Sequence, residues 1–211
     1  PCRSRGLGDV YKRQIYNSET LNKIPSSFEE LISQEDLKVV VQDPRTSPVG
    51  MGLLRWMKLT HPNNFPTILK EFNNKVLTYT PGWSEAYGIF LEGKADLVLS
   101  YSTSPFYHQE YEDEYKYKAI EFAGGHLVTK EIVYVRPDSE QQKLGREFVE
   151  FMVRDDIQKI IAQMNIMYPA IENVNNIPDK MRKLKKPKEI QYDDFLEADP
   201  LIKIWLEVAS S

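Results

Sequence analysis

Three times between Leu37 and Tyr107 the sequence passes from a short apolar, β-branched run directly into a helix start built of small hydroxyls, Gly and Pro. LKVVVQ leads into DPRTSP, KVLTYT into PGWSE, and ADLVLSY into STSP. Strand-length runs that alternate with amphipathic helical windows restrict the chain to an α/β fold. SSFEELISQ (26–34) and FPTILKEFNN (65–74) are predicted helices. Ser47 is a predicted N-cap with Pro48 at the first helical position. Ser84 is predicted to cap a helix that runs from Glu85 and stops at Gly93.

If the strands are parallel, the junctions 43–48, 81–85 and 102–105 all lie at their C-terminal ends, where open α/β sheets bind ligands. Helix N-termini there offer unpaired N–H groups and positive dipole ends to an anion. Trp83, Tyr101 and Tyr107 add flat faces for a ring or a cation. A Ser before a Pro is more often only a cap, and a ring at a strand end is more often packing. Three equivalent junctions weigh against coincidence. They predict a ligand with an aromatic or cationic part and a hydroxyl or phosphate end.

Other chemistries find little in the sequence. The 211 residues are 41% hydrophobic and 27% charged with a net charge of −4, which lacks the basic surplus of a nucleic-acid binder. No run approaches the roughly 20 apolar residues of a membrane span. His61, His108 and His126 have no metal-ligand spacing, so no metal site is expected. Phosphate-binding glycine loops, a G-x-S-x-G elbow and a dinucleotide fingerprint are missing, so no catalytic residue is assigned and binding is favoured over turnover. EYEDEYKYK (110–118) and KMRKLKKPK (180–188) read as solvated faces. The opening PCRSRGLGDVYKRQ has no apolar period and holds the single cysteine, Cys2; the first Met is Met51. Residues 1–14 resemble translated adapter sequence and are expected to stand outside the fold as a non-native tail.

DPRTS followed by GMGLLRWM, then GWSEAYGIFLEGKADLVLSYSTSPFYH, GREFVEFMV and MYP, in that order and spacing, resemble the thiamine-binding solute-binding proteins of bacterial ABC transporters. The resemblance runs from about Ile15 to the C-terminus. It implies a type II periplasmic-binding-protein-like fold, mostly lobe II with a small returning part of lobe I. The implied division is lobe II over 15–123, the returning segment of lobe I over 124–164, and a C-terminal segment over 165–211 that packs back on lobe II. An export signal and most of lobe I would precede Ile15. The family implies a monomeric periplasmic carrier without catalysis or resident cofactor, which captures thiamine, thiamine monophosphate or thiamine diphosphate and delivers it to a membrane permease. Carried over by motif, the ligand contacts are Ser47, Trp83, Tyr101, Ser102, Thr103, Ser104, Pro105 and Tyr107. Two departures stand out: Ile166 replaces a Trp two residues before Tyr168, and AGGH (123–126) lacks the family's acidic residue. The rival readings are a carrier of another small solute, such as ferric iron or a polyamine, and a transferase or phosphatase. Iron carriers place adjacent tyrosines where this chain has Tyr101 followed by Ser102. An enzyme would need a general base or metal cluster that the sequence does not supply.

Overall fold

The computed structural model describes residues 4–173, 175–192 and 196–210, without the side chains of 4–6; Cys2 lies outside the described residues. The chain begins with β1 (Ser4–Asn17), α1 (Phe28–Ser33), β2 (Val39–Gln42), α2 (Pro48–Thr60), α3 (Phe65–Asn73) and β3 (Val76–Thr80). It continues with α4 (Trp83–Leu91), β4 (Leu97–Tyr101), α5 (Ser104–Tyr111), β5 (Tyr117–Ala119) and β6 (Val128–Tyr134). The last elements are α6 (Gln142–Met152), α7 (Asp155–Met164), β7 (Tyr168–Pro169), α8 (Asp179–Arg182) and α9 (Ala198–Ala209).

The three apolar runs become parallel neighbours, with β2 between β3 and β4. All four residues of β2 are buried, as expected of a strand covered on both faces. One face packs on α1, α2, α3 and α9 through a cluster that includes Phe28, Trp56, Phe72 and Phe122. The other face, with Val40 and Val98, packs on Ala86, Tyr87 and Phe90 of α4. Gly50 lets α2 press against the end of β2, because a Cβ there would lie 2.2 Å from the Gln42 carbonyl oxygen.

Residues 4–14 depart from the sequence reading. They are not a tail outside the fold but most of β1, the strand that joins the two halves of the sheet. The order is β3-β2-β4-β1-β5, with β6 and β7 also paired to β1. Residues 12–17 of β1 run antiparallel to β4 and β5, and residues 4–11 antiparallel to β6 and β7. The physical reason is that strand pairing uses backbone groups, which every non-proline residue carries. The side chains record the mismatch that the sequence suggested. Lys12, Arg13 and Gln14 are 2%, 4% and 0% exposed. Arg13 finds the carbonyls of Ile120 and Ala119, whereas both side-chain amide atoms of Gln14 lack a partner among the described residues.

The start of α4 also differs. Gly82 is the N-cap and Trp83 the first helical residue, so Ser84 lies inside the first turn instead of capping it. The helix begins two residues early because Gly82 is extended, at φ −144° and ψ 178°, and Glu85 supplies an acid to the first turn. A Cβ on Gly82 would lie 2.9 Å from the Glu85 carboxylate, which folds back over the helix start. At the other end, Gly93 takes φ 74° and stops the helix as expected.

Candidate functional site

A cleft of about 590 Å³ opens where β1 passes from one half of the sheet to the other. One wall is the start of α4, with Trp83, Ser84, Tyr87 and Gly88. The strand-to-helix junction after β4 supplies a second wall through Tyr101, Thr103, Ser104 and Tyr107. Across from these lie Val10 of β1, Thr129 and Glu131 of β6, and the turn Asn165, Ile166 and Met167 after α7.

The aromatic wall is ordered by hydrogen bonds. Trp83 donates its indole N–H to Ser100 Oγ at 2.7 Å, and Ser100 Oγ lies 2.8 Å from Ser104 Oγ. The Trp83 ring remains 39% exposed and faces the cleft. Tyr107 stands on the next element with its ring half-exposed. Tyr101 lies deeper, where the Lys12 ammonium sits 4.5 Å from its ring centroid. Burial pushes the Tyr101 hydroxyl pKa up, and nearby Glu131 adds to the shift. Burial also pushes Lys12 down to about 8, with Glu131 opposing the shift.

Thr103 occupies the N-cap of α5 without a side-chain capping bond, so its hydroxyl is not committed to the helix. Pro105 has no N–H, and the Phe106 N–H is bonded to the Thr103 carbonyl. This helix start therefore offers fewer donors than a typical N-terminus. The charged side chains that line the cleft, Glu112 and Glu131, are both acids. The site thus combines aromatic faces, negative charge and a small polar corner, a combination that favours a flat cation.

Of the eight residues carried over from the sequence motifs, Trp83, Tyr101, Thr103, Ser104 and Tyr107 line this cleft. The other three do not. Ser47 caps α2, its hydroxyl accepting the Val49 N–H at 3.2 Å. Ser102 accepts the Tyr11 N–H at 3.3 Å and is buried. Pro105 is buried in the first turn of α5. Tyr87 was legible in principle, since it lies four residues after Trp83 on one helix face. Thr129 and Glu131 alternate on a strand, but only the pairing of β6 with β1 turns them toward the cleft.

Residues 15–164 match the family of bacterial extracellular solute-binding proteins. The chain belongs to that family. Among similar proteins, the thiamine-binding periplasmic protein of Haemophilus influenzae is 42% identical over 159 residues, covering 75% of this chain and 48% of that protein. The thiamine-binding periplasmic protein of Escherichia coli K12 is 41% identical over 174 residues, covering 82% and 53%. This solute-binding chain spans about half the length of the curated relatives it matches. A solved periplasmic thiamin binding protein superposes with a TM-score of 0.85 at 35% identity, over 99% of this chain and 66% of that one. The ferric binding protein from Campylobacter jejuni superposes with a TM-score of 0.76 at 19% identity, over 97% of this chain and 70% of that one, and shares the fold alone. The mixed α/β architecture is that of type II periplasmic binding proteins, of which this chain covers a part.

Proposed function

We propose that this chain carries the cleft with which a periplasmic solute-binding protein captures thiamine or its phosphate esters for delivery to the permease of an ABC importer. The observation that carries the reading is the pairing of the Trp83 and Tyr107 faces with Glu112 and Glu131. Thiamine offers a permanently cationic ring, which such a lining attracts through cation–π and Coulomb terms. Its hydroxyl or phosphate end would reach Thr103 and Ser104. The names of the thiamine-binding relatives support the same ligand. Thiamine is cargo on this reading, held without bond-making or a resident cofactor.

The same proposal takes residues 15–123 as lobe II, 124–164 as a returning piece of lobe I, and 165–211 as a segment that packs back on lobe II. The Trp205 ring of α9 against Tyr79 of β3, 5.1 Å between centroids, supports the last of these. Ferric iron gains less support: the position after Tyr101 is held by Ser102, whose buried hydroxyl accepts the Tyr11 N–H.

Titration calorimetry with thiamine, on the parent chain and on Trp83→Ala, tests the proposal. Loss of a stacking and cation–π contact is expected to weaken binding by about 1–3 kcal/mol, roughly 5- to 150-fold. An unchanged dissociation constant would make Trp83 a packing residue and overturn the reading.

A further inference from the structure

The aromatic wall is backed by a chain of contacts that ligand binding does not itself explain. Trp83 stacks on Tyr87 with centroids 4.7 Å apart and planes at 26°. Tyr87 stacks in turn on His108, at 5.7 Å and 14°. The Tyr87 hydroxyl lies 2.9 Å from His108 Nε2, and His108 Nδ1 lies 2.5 Å from Glu112 Oε2. Tyr107 meets the His108 ring edge-to-face at 5.5 Å, and Tyr117 of β5 packs on it at 4.3 Å. His108 itself is 1% exposed.

Both ring nitrogens of His108 are thus engaged, Nε2 with the Tyr87 hydroxyl and Nδ1 with the Glu112 carboxylate. Burial holds the Tyr87 hydroxyl far above its ordinary pKa, so it meets Nε2 as a protonated hydroxyl. Each link thus constrains one ring. Glu112 sets the rotation of His108, His108 holds Tyr87 by the hydroxyl, and Tyr87 supports the inner face of Trp83. At its other edge Trp83 is tied to Ser100. An apolar residue at 108 would fill the space but leave the Tyr87 hydroxyl without this partner.

We infer that His108 and Glu112, acting through Tyr87, are positioning residues that pre-organise the Trp83 face for its ligand. A half-exposed Trp would otherwise lose side-chain freedom on binding, and ordering it beforehand removes that cost from the affinity. Glu112 and Tyr117 both come from the acidic, tyrosine-rich stretch that reads as a solvated face in the sequence. In the fold Glu112 both lines the cleft and holds His108, and Tyr117 packs on the His108 ring.

The inference rests on Trp83 being a binding face, and its test separates the two ideas. The chain is labelled with 5-fluorotryptophan, and the Trp83 resonance is assigned by its loss in Trp83→Phe. Tyr87→Phe keeps the ring and removes the hydroxyl, and His108→Phe keeps a flat ring and removes both bonds. In each, the Trp83 fluorine resonance is expected to shift or broaden while those of Trp56 and Trp205 stay in place. The thiamine dissociation constant is expected to rise roughly threefold to tenfold, the factor carried by ordering one side chain. His108→Gln can still bond to both Tyr87 and Glu112, so its resonance and affinity should lie nearer the parent than those of His108→Phe. An unmoved Trp83 resonance in Tyr87→Phe and His108→Phe would overturn the inference. So would equal shifts at all three tryptophans, which would mean a general loosening of the fold. Absence of thiamine binding by the parent would instead overturn the proposed function, and the fluorine spectra would still decide whether these residues position Trp83.

Discussion

His126 illustrates how much a single residue draws from its surroundings. The ring is fully buried, with Nδ1 2.9 Å from the Lys12 carbonyl oxygen and Nε2 accepting the Phe122 N–H at 2.7 Å. Both nitrogens are satisfied only in the neutral form, with the proton on Nδ1. Burial pushes its pKa down to about 4. In the unfolded chain the value is about 6.5, so between these limits the unfolded state binds more protons. The stability that neutral His126 contributes is complete above about pH 6.5 and is lost as the pH falls toward 4. His126→Gln is therefore expected to lose less melting temperature between pH 7 and pH 4.5 than the parent. Equal losses would place the acid sensitivity elsewhere. The sequence marked His126 as one of three histidines without metal spacing and as the end of AGGH, with no role assigned. Its role depends on Lys12, 114 positions away.

Elements were easier to read than the roles of their residues. The runs around β2, β3 and β4 appeared in the sequence because strands buried on both faces are continuously apolar. Their helices appeared through Ser47, Pro48 and Gly93, whose cues act locally. The start of α4 was misjudged because Ser84 is the stronger capping residue by type, whereas Gly82 and Glu85 close the helix start by shape. Ser47 also tests how far a cap explains a motif residue. Ser47→Ala removes the acceptor for the Val49 N–H and is expected to lower unfolding free energy by about 1 kcal/mol. Urea denaturation with an unchanged slope would measure it. A shift indistinguishable from zero would show that the cap contributes nothing to stability.

At the scale of the molecule, α6 is a sparsely covered helix, with Val149 its buried residue. Leu144, Phe148 and Phe151 are exposed on it, with Phe148 at 52%, and the two Phe rings stack 6.4 Å apart. Contiguous apolar surface of this kind binds hydrophobic dyes and promotes association. The double variant Phe148→Ser and Phe151→Ser is expected to bind less anilinonaphthalene sulfonate and to elute later than the parent at high concentration. Unchanged dye binding would locate the exposed apolar surface elsewhere. The sequence by itself determined the class of fold, the strand runs that become β2, β3 and β4, and the hydroxyl- and Gly/Pro-rich helix starts that follow them. These follow from hydrophobic period and turn chemistry within a few residues. Only the tertiary structure decided that residues 4–14 form the joining strand, that the Ser102 hydroxyl accepts the Tyr11 N–H, and that Glu131 and Ile166 line the cleft with Trp83. Each of these depends on pairings across long stretches of chain, such as β1 with β4, β5 and β6, which no local pattern encodes.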